Sequence, residues 1–251
     1  MGEMIILGCA SAVPDIVHDN THLFLASGSR KILIDCGSTP IQRLQHLGVG
    51  CEDLTDLILT HFHPDHVAAA PLLLMGLWLM GRTKPLEIYG NTHTIERMIS
   101  VMELYDWENW QGFYPVNFQR IPEQSMEVVI DQPGLRVFGS PVKHLIPTLG
   151  FRFELQDPHR VIAYSCDTEP CPQVVQLAQG CDVLIHEAVG ESKGHTSAAQ
   201  AGVIARQAGA RALCLIHYPT WADSKQMVEE ARREFGGLVY AAKDGMKLDL
   251  K

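Results

Sequence analysis

The sequence predicts an α/β fold of two sheets with helices on their outer faces. Short β-branched runs and helical segments alternate through both halves of the chain. No Pro-, Gly- or Ser-rich linker separates the halves, so residues 1–251 read as one domain. A dense histidine–aspartate motif follows an apolar strand directly, at a strand end where α/β folds collect functional groups.

The elements follow in order. Residues 4–7, 22–26, 31–35 and 56–60 have strand composition. The next stretch, to about Met80, is helical in composition. Its charge-free part, residues 67–81, is broken by Pro71 and Gly76 and is shorter than a membrane span. It reads as a buried helix, with a dimer interface as the second reading. A strand follows at 86–89. From Thr92 to about Tyr105, Ile95, Met98, Ile99 and Met102 recur at helical spacing, with Thr92 or Thr94 as N-cap. Residues 107–132 read as loop with one or two strands. Strand signals return at 135–139, 150–154, 161–165, 183–186 and 212–217. A helix over 196–208 starts on Ser/Thr and stops at Gly209. A helix at 224–235 and strands at 238–241 and 246–250 close the chain.

Composition narrows the function classes. Hydrophobic residues make up 46% and charged residues 20%, enough for a core and too apolar for disorder. The net charge of −9 gives no general attraction for a polyanion, and no Lys/Arg run supplies a local one. Seven scattered cysteines without a CxxC pair predict reduced thiols and a cytoplasmic protein. The opening MGEMIILGCASAVP lacks the basic region and apolar length of a signal peptide, and no membrane partner is expected.

The segment LTHFHPDHV, residues 59–67, carries the strongest signal. In an extended chain residues two apart share a side, so His61 and His63 can hold one ion. Where the chain turns at Pro64, Asp65 and His66 can swing toward a second. Imidazole and carboxylate ligands suit zinc, manganese or iron. Three further ligand types stand at strand ends: His144 in PVKHLIPTLGFRFE, Asp167 in YSCDT and His217 in ALCLIHY. Cys166 reads as a small buried residue, and His186 as a core or supporting residue.

HFHPDH resembles the HxHxDH signature of the metallo-β-lactamase superfamily, and His144, Asp167 and His217 fall in that family's order. The resemblance implies the four-layer αββα sandwich with the site at one edge between the sheets. It implies His61, His63 and His144 on a first ion, Asp65, His66 and His217 on a second, and Asp167 bridging both. Two zinc ions are expected, with manganese or iron as alternatives. Paired cations lower the pKa of a shared water and clamp the oxygens of the cleaved group, and Asp65 would orient or deprotonate that water.

Within the superfamily the chain is most similar to ribonuclease Z and its short relatives. The residues that carry this are GCASAVP with Asn20–Thr21, IDCG, PLEIYG, YSCDT, LIHEA and GHTSAAQA. The resemblance implies that His195 and Glu187 form a pair that contacts the phosphate and protonates the leaving oxygen. It also implies a phosphodiester substrate, an RNA 3′ end or a small molecule, and a homodimer. Two departures bear on the substrate. The loop Pro14-Asp-Ile-Val-His-Asp-Asn20 lacks the basic residues usual in ribonuclease Z, and only 22 residues separate His144 from Asp167, where many ribonuclease Z proteins insert a long tRNA-gripping arm.

The leading reading is therefore a di-metal hydrolase cleaving phosphodiesters. The competing reading is a hydrolase of another ester class on the same fold: a sulfatase, lactonase or thioesterase. His195 with Glu187, and His144 outside a GHTxGH loop, argue against the last two. A flavin-partnered di-iron oxygen reductase replaces the second motif histidine by a carboxylate, and His63 is histidine. All seven ligand positions being filled argues against a degenerate binding module.

Overall fold

Residues 2–156 and 158–248 are described by a computed structural model of the chain. Six strands come first: β1 (Glu3–Gly8), β2 (His22–Ser27), β3 (Arg30–Ile34), β4 (Asp56–Ile58), β5 (Leu86–Asn91) and β6 (Val116–Ile121). Then follow β7 (Glu127–Gln132), β8 (Leu135–Val142), β9 (Thr148–Gln156), β10 (His159–Tyr164), β11 (Val183–Glu187), β12 (Ala212–Ile216), β13 (Leu238–Ala241) and β14 (Met246–Lys247). The helices are α1 (Pro40–His46), α2 (Pro64–Val67), α3 (Ala70–Leu79), α4 (Thr92–Leu104), α5 (Pro172–Leu177), α6 (Ala198–Ala208) and α7 (Ser224–Phe235).

Two seven-stranded sheets result, ordered β14-β1-β2-β3-β4-β5-β6 and β13-β12-β11-β10-β9-β8-β7. Each has an antiparallel part and a parallel part. In the first, β3 through β6 run parallel, with Ile34 opposite Ile58. In the second, β10 through β13 run parallel, with Glu187 opposite Ile216. The carboxyl ends of the parallel strands are where open α/β sheets bind ligands.

The inner strands are buried on both faces, and their alternation sorts residues between two cores. Met4, Ile6, Leu23, Leu25, Ile32 and Ile34 point inward and pack with Val137, Phe151 and Phe153 of the second sheet. Their neighbours Ile5, Leu7, Phe24 and Leu33 point outward and pack with residues of α1, α3 and α4 such as Leu44, Leu73 and Met98. Helices α5, α6 and α7 cover the second sheet. This is the αββα sandwich. Full burial of each such side chain stabilises the fold by roughly 1.5–3 kcal/mol before entropy is charged against it.

Several local details differ from the sequence reading. The N-cap of α4 is Asn91, whose side chain accepts the Thr94 N–H at 2.8 Å, not Thr92 or Thr94. Asparagine caps as well as threonine, and β5 delivers it at the helix start. Helix α3 buries Ala70, Leu73, Leu74 and Leu77 but leaves Leu72 and Leu79 exposed, so it is covered on one face and not all round. Residues 107–132 hold a short 3-10 turn and both β6 and β7, which lie at the edges of different sheets. Helices α1 and α5, each opened by a proline at its first turn, have no counterpart in the sequence reading. The strand expected at 246–250 is seen as β14, and residues 249–250 lie outside the described residues.

Candidate metal centre

The histidine–aspartate segment is shaped by the loop that precedes it in the sheet. Beyond β4 the chain stays extended to His63, the N-cap of α2, and Pro64 starts the helix with its fixed φ and no N–H to lose. That turn places Asp65 and His66 in the first turn of α2, with the His66 ring centroid 4.1 Å from that of His61. Cys36 donates its backbone N–H to the His66 carbonyl at 2.6 Å, so the IDCG segment lies directly against the turn. Gly37 is required there: a Cβ on it would stand 1.9 Å from the Asp65 carbonyl oxygen.

Three parallel strands end in left-handed residues that are not glycine: Asp35 (φ 63°) after β3, Cys166 (φ 53°) near the end of β10 and His217 (φ 52°) after β12. Each costs of order 1–3 kcal/mol and persists where surrounding contacts impose it. Here they re-aim Asp35, Asp167 and His217 into one cleft.

All seven residues named from the sequence come together in that cleft. His61 Nε2 lies 3.0 Å from His63 Nδ1, and His144 Nε2 lies 3.1 Å from the same atom. His66 Nε2 and His217 Nε2 are 3.3 Å apart, and Asp65 Oδ2 is 3.3 Å from His217 Nε2. Asp167 stands between the two groups. Its Oδ2 is 3.9 Å from both His61 Nε2 and His144 Nε2, while its Oδ1 is 3.6 Å from His66 Nε2 and 3.4 Å from His217 Nδ1. The ligand-type atoms within each group lie within 4.8 Å of one another.

The far nitrogens of three of these rings are tied down. His66 Nδ1 bonds Asp35 Oδ2 at 2.8 Å, and Asp35 also accepts the Thr60 N–H and hydroxyl, both at 2.9 Å. His144 Nδ1 donates to the Gly194 carbonyl at 2.7 Å, and His61 Nδ1 meets the Thr60 hydroxyl at 3.0 Å. Such outer partners fix the tautomer that leaves Nε2 free as a lone-pair donor. Asp35, Thr60 and Gly194 had no role in the sequence reading, although Asp35 stands in the IDCG motif.

Glu187 and His195 meet as a pair at the mouth. His195 Nδ1 donates to Glu187 Oε1 at 3.0 Å, and the ring centroid is 5.0 Å from that of His144. Glu187 is fully buried and its carboxylate accepts the N–H groups of Thr168, Val189 and Thr196 at 2.9–3.1 Å. Burial lowers the His195 imidazole, but the Glu187 carboxylate outweighs it and holds the ring above its ordinary range. His186 is buried beside this pair with Nδ1 on the Glu187 carbonyl, and burial lowers it to about 4, a core role. Cys166 faces His61 and His66, and burial pushes its thiol well above its usual range, which suits a small buried residue better than a ligand.

The chemistry of the donor set fits divalent transition ions. Burial is the largest cause that pushes His61, His63 and His144 below their usual range, which favours the neutral ring that a metal ion takes as ligand. Asp167 is held well below the carboxylate range: burial opposes this, and His217 and His66 override it. Three carboxylates, Asp35, Asp65 and Asp167, thus converge on imidazoles. Asp167 Oδ1 and His217 Nδ1 are buried without a hydrogen-bond partner. Buried anionic oxygens and unpartnered lone pairs are costly unless a cation meets them.

The fold and this cluster define a class. A family model described as "Beta-lactamase superfamily domain" matches residues 30–218, and the chain belongs to that family. Among curated proteins it is similar over its length to ribonuclease Z of Methanothermobacter thermautotrophicus: 26% identical over 306 residues, covering 100% of this chain and 97% of that protein. Ribonuclease Z of Mycobacterium marinum is 27% identical over 272 residues, covering 97% of each. These matches bear out the ribonuclease Z-like resemblance carried by the motifs. Among solved structures, the metallo-β-lactamase fold protein YhfI from Bacillus subtilis superposes with a TM-score of 0.83 at 24% identity over 98% of each chain. Human tRNase Z, short form, gives 0.79 at 23% over 100% of each. The structural likenesses show the fold.

Proposed function

We propose that the chain is a metal-dependent phosphodiesterase of the ribonuclease Z-like branch, acting on RNA 3′ ends or on small phosphodiesters. His61, His63, His144 and Asp167 would hold one ion, and Asp65, His66, His217 and Asp167 the other. Two zinc ions are the expected occupants, with manganese or iron as alternatives. One observation carries the reading: His195, held by buried Glu187, stands at the mouth of the cluster that Asp167 spans.

When bound, the two ions supply an activated water and neutralise charge on the phosphoryl oxygens. The protein's own groups do the rest. Asp65, its side chain slightly open to the cleft, orients the water and takes its proton. Glu187 fixes the His195 ring by Nδ1, leaving Nε2 to give a proton to the leaving oxygen. The Glu187 charge keeps that ring in its acid form. Asp167 couples the two ion positions in one rigid carboxylate.

The reading also includes a cytoplasmic homodimer. Seven unpaired cysteines support the first part. The exposed apolar face of α3, with Leu72 and Leu79, supports the second. No helix among the described residues is long and apolar enough to cross a membrane.

The test is cleavage of a precursor tRNA with a 3′ trailer by zinc- or manganese-loaded protein, with Asp167→Ala as control. A single cut near the discriminator base, absent in the variant, supports the RNA substrate. No cut, with hydrolysis of bis(p-nitrophenyl) phosphate, supports the small one. Hydrolysis of neither refutes the reading.

A further inference from the structure

The cleft is small and its rim is apolar. The cavity lined by Ser11, Ala12, His63, Asp65, His195 and His217 has a volume of about 290 Å³. That lies just below the ~300–1,000 Å³ of pockets that enclose a drug-sized ligand. A phosphodiester group fills it, and whatever the phosphorus carries must rest on the rim.

Three segments that supply the site run straight on into exposed apolar side chains. Beyond Ala12 come Val13, Ile16 and Val17, at 53%, 103% and 64% exposure. Beyond His144 comes Leu145, against which a Cβ on Gly194 would collide at 2.8 Å, so it sits beside the His195 loop. Beyond His217 comes Trp221, 74% exposed in the turn Pro219–Ala222. The first and last segments are joined, because Ser11 donates its N–H to the Tyr218 carbonyl at 3.1 Å. Trp221 is three residues from that joint, within ~10 Å of it by chain reach.

Two cations on the segments that supply the site are held by carboxylates: Lys143 Nζ is 2.6 Å from Glu169, and His18 is paired with Asp15 at 3.1 Å. A large exposed indole close to a phosphodiester cleft suits the flat face of a base.

We infer that Trp221, three residues beyond the joint between the Ser11 and Tyr218 segments, is a stacking platform for the nucleobase next to the scissile phosphate. The inference deepens the phosphodiesterase reading and rests on it. It makes the substrate a nucleotidyl phosphodiester, whether a free nucleotide ester or an unpaired RNA 3′ end, held by the base face without regard to sequence.

The experiment titrates the zinc-loaded protein with adenosine 5′-monophosphate and with methyl phosphate, following heat and tryptophan emission. Wild type, Trp221→Ala and Trp221→Phe are compared. Trp221→Ala should bind the nucleotide roughly 5–100-fold more weakly, the range for loss of one base–aromatic stack. Binding of methyl phosphate should not change, and Trp221→Phe should restore most of the nucleotide affinity. The exposed indole makes loss of folding no obstacle, and an unchanged thermal melt verifies this. Equal nucleotide affinity in Trp221→Ala and wild type overturns the inference, as does an equal loss for both ligands. Hydrolysis of bis(p-nitrophenyl) phosphate together with nucleotide binding that does not depend on Trp221 fails the platform alone. Trp221-dependent nucleotide binding without any hydrolysis fails the phosphodiesterase reading alone. The two sources separate by substrate: a Trp221-dependent cut of a single-stranded RNA 3′ end selects RNA, and hydrolysis of a nucleoside p-nitrophenyl ester only selects the small molecule.

Discussion

Asp35 Oδ2 lies 2.8 Å from His66 Nδ1, and both groups are buried. The contact turns the His66 ring so that Nε2 faces Asp65 and His217, and a residue outside the seven proposed ligands thereby sets how one of them is presented.

Asp35→Asn keeps a side chain that tolerates the left-handed φ but removes the charge behind His66. We expect a 10–100-fold loss of affinity for one of the two ions. Competition with a chromophoric zinc chelator measures it. Two unchanged affinities would remove Asp35 from the account.

His195→Ala should slow cleavage of alkyl phosphodiesters, whose leaving oxygen needs a proton, by roughly 10²–10⁴-fold. Cleavage of p-nitrophenyl esters, whose leaving group needs none, should fall much less. Steady-state rates on the two substrates decide it, and equal losses would make His195 a binding group.

Asp19 anchors the loop beside the site through Thr39 at 2.5 Å, Ser38 and Arg43 at 3.3 Å. Burial raises its pKa, but the bonds from Ser38 and Thr39 and the charge of Arg43 leave it below the usual carboxylate range. A depressed folded pKa contributes stability that is present above the unfolded value near ~3.9 and lost as pH falls through the folded one. Asp19→Asn should therefore lower the thermal midpoint near neutral pH by several degrees, ~2–4 °C per kcal/mol for a chain of this size. The gap should close in acid. Melts of both proteins from neutral pH down to pH 2 check it; a gap that does not depend on pH contradicts it.

What the sequence revealed follows from how far apart the cooperating residues lie. His61, His63, Asp65 and His66 are contiguous, and a strand followed by proline already tells which pairs share a side. His144, Asp167 and His217 are single residues, each ordinary in isolation, and only their order in a family pattern links them. Asp35 escaped because its role depends on a left-handed turn after β3 that aims it at a ring 31 positions away. The Gly194 carbonyl that holds His144 has no side-chain signal at all. In the fold, long periodic α4 and α6 were legible, while α1 and α5 are too short to show a period. The exposed face of α3 escaped because an all-apolar run has no polar side to mark it.

We read the cluster as a two-metal hydrolytic centre. Its most direct test is hydrolysis of bis(p-nitrophenyl) phosphate by chelator-stripped protein as zinc is added back. Activity in the stripped protein should be negligible and should rise to its maximum at two ions per chain. Full activity in the stripped protein, or a maximum at one ion, would contradict it.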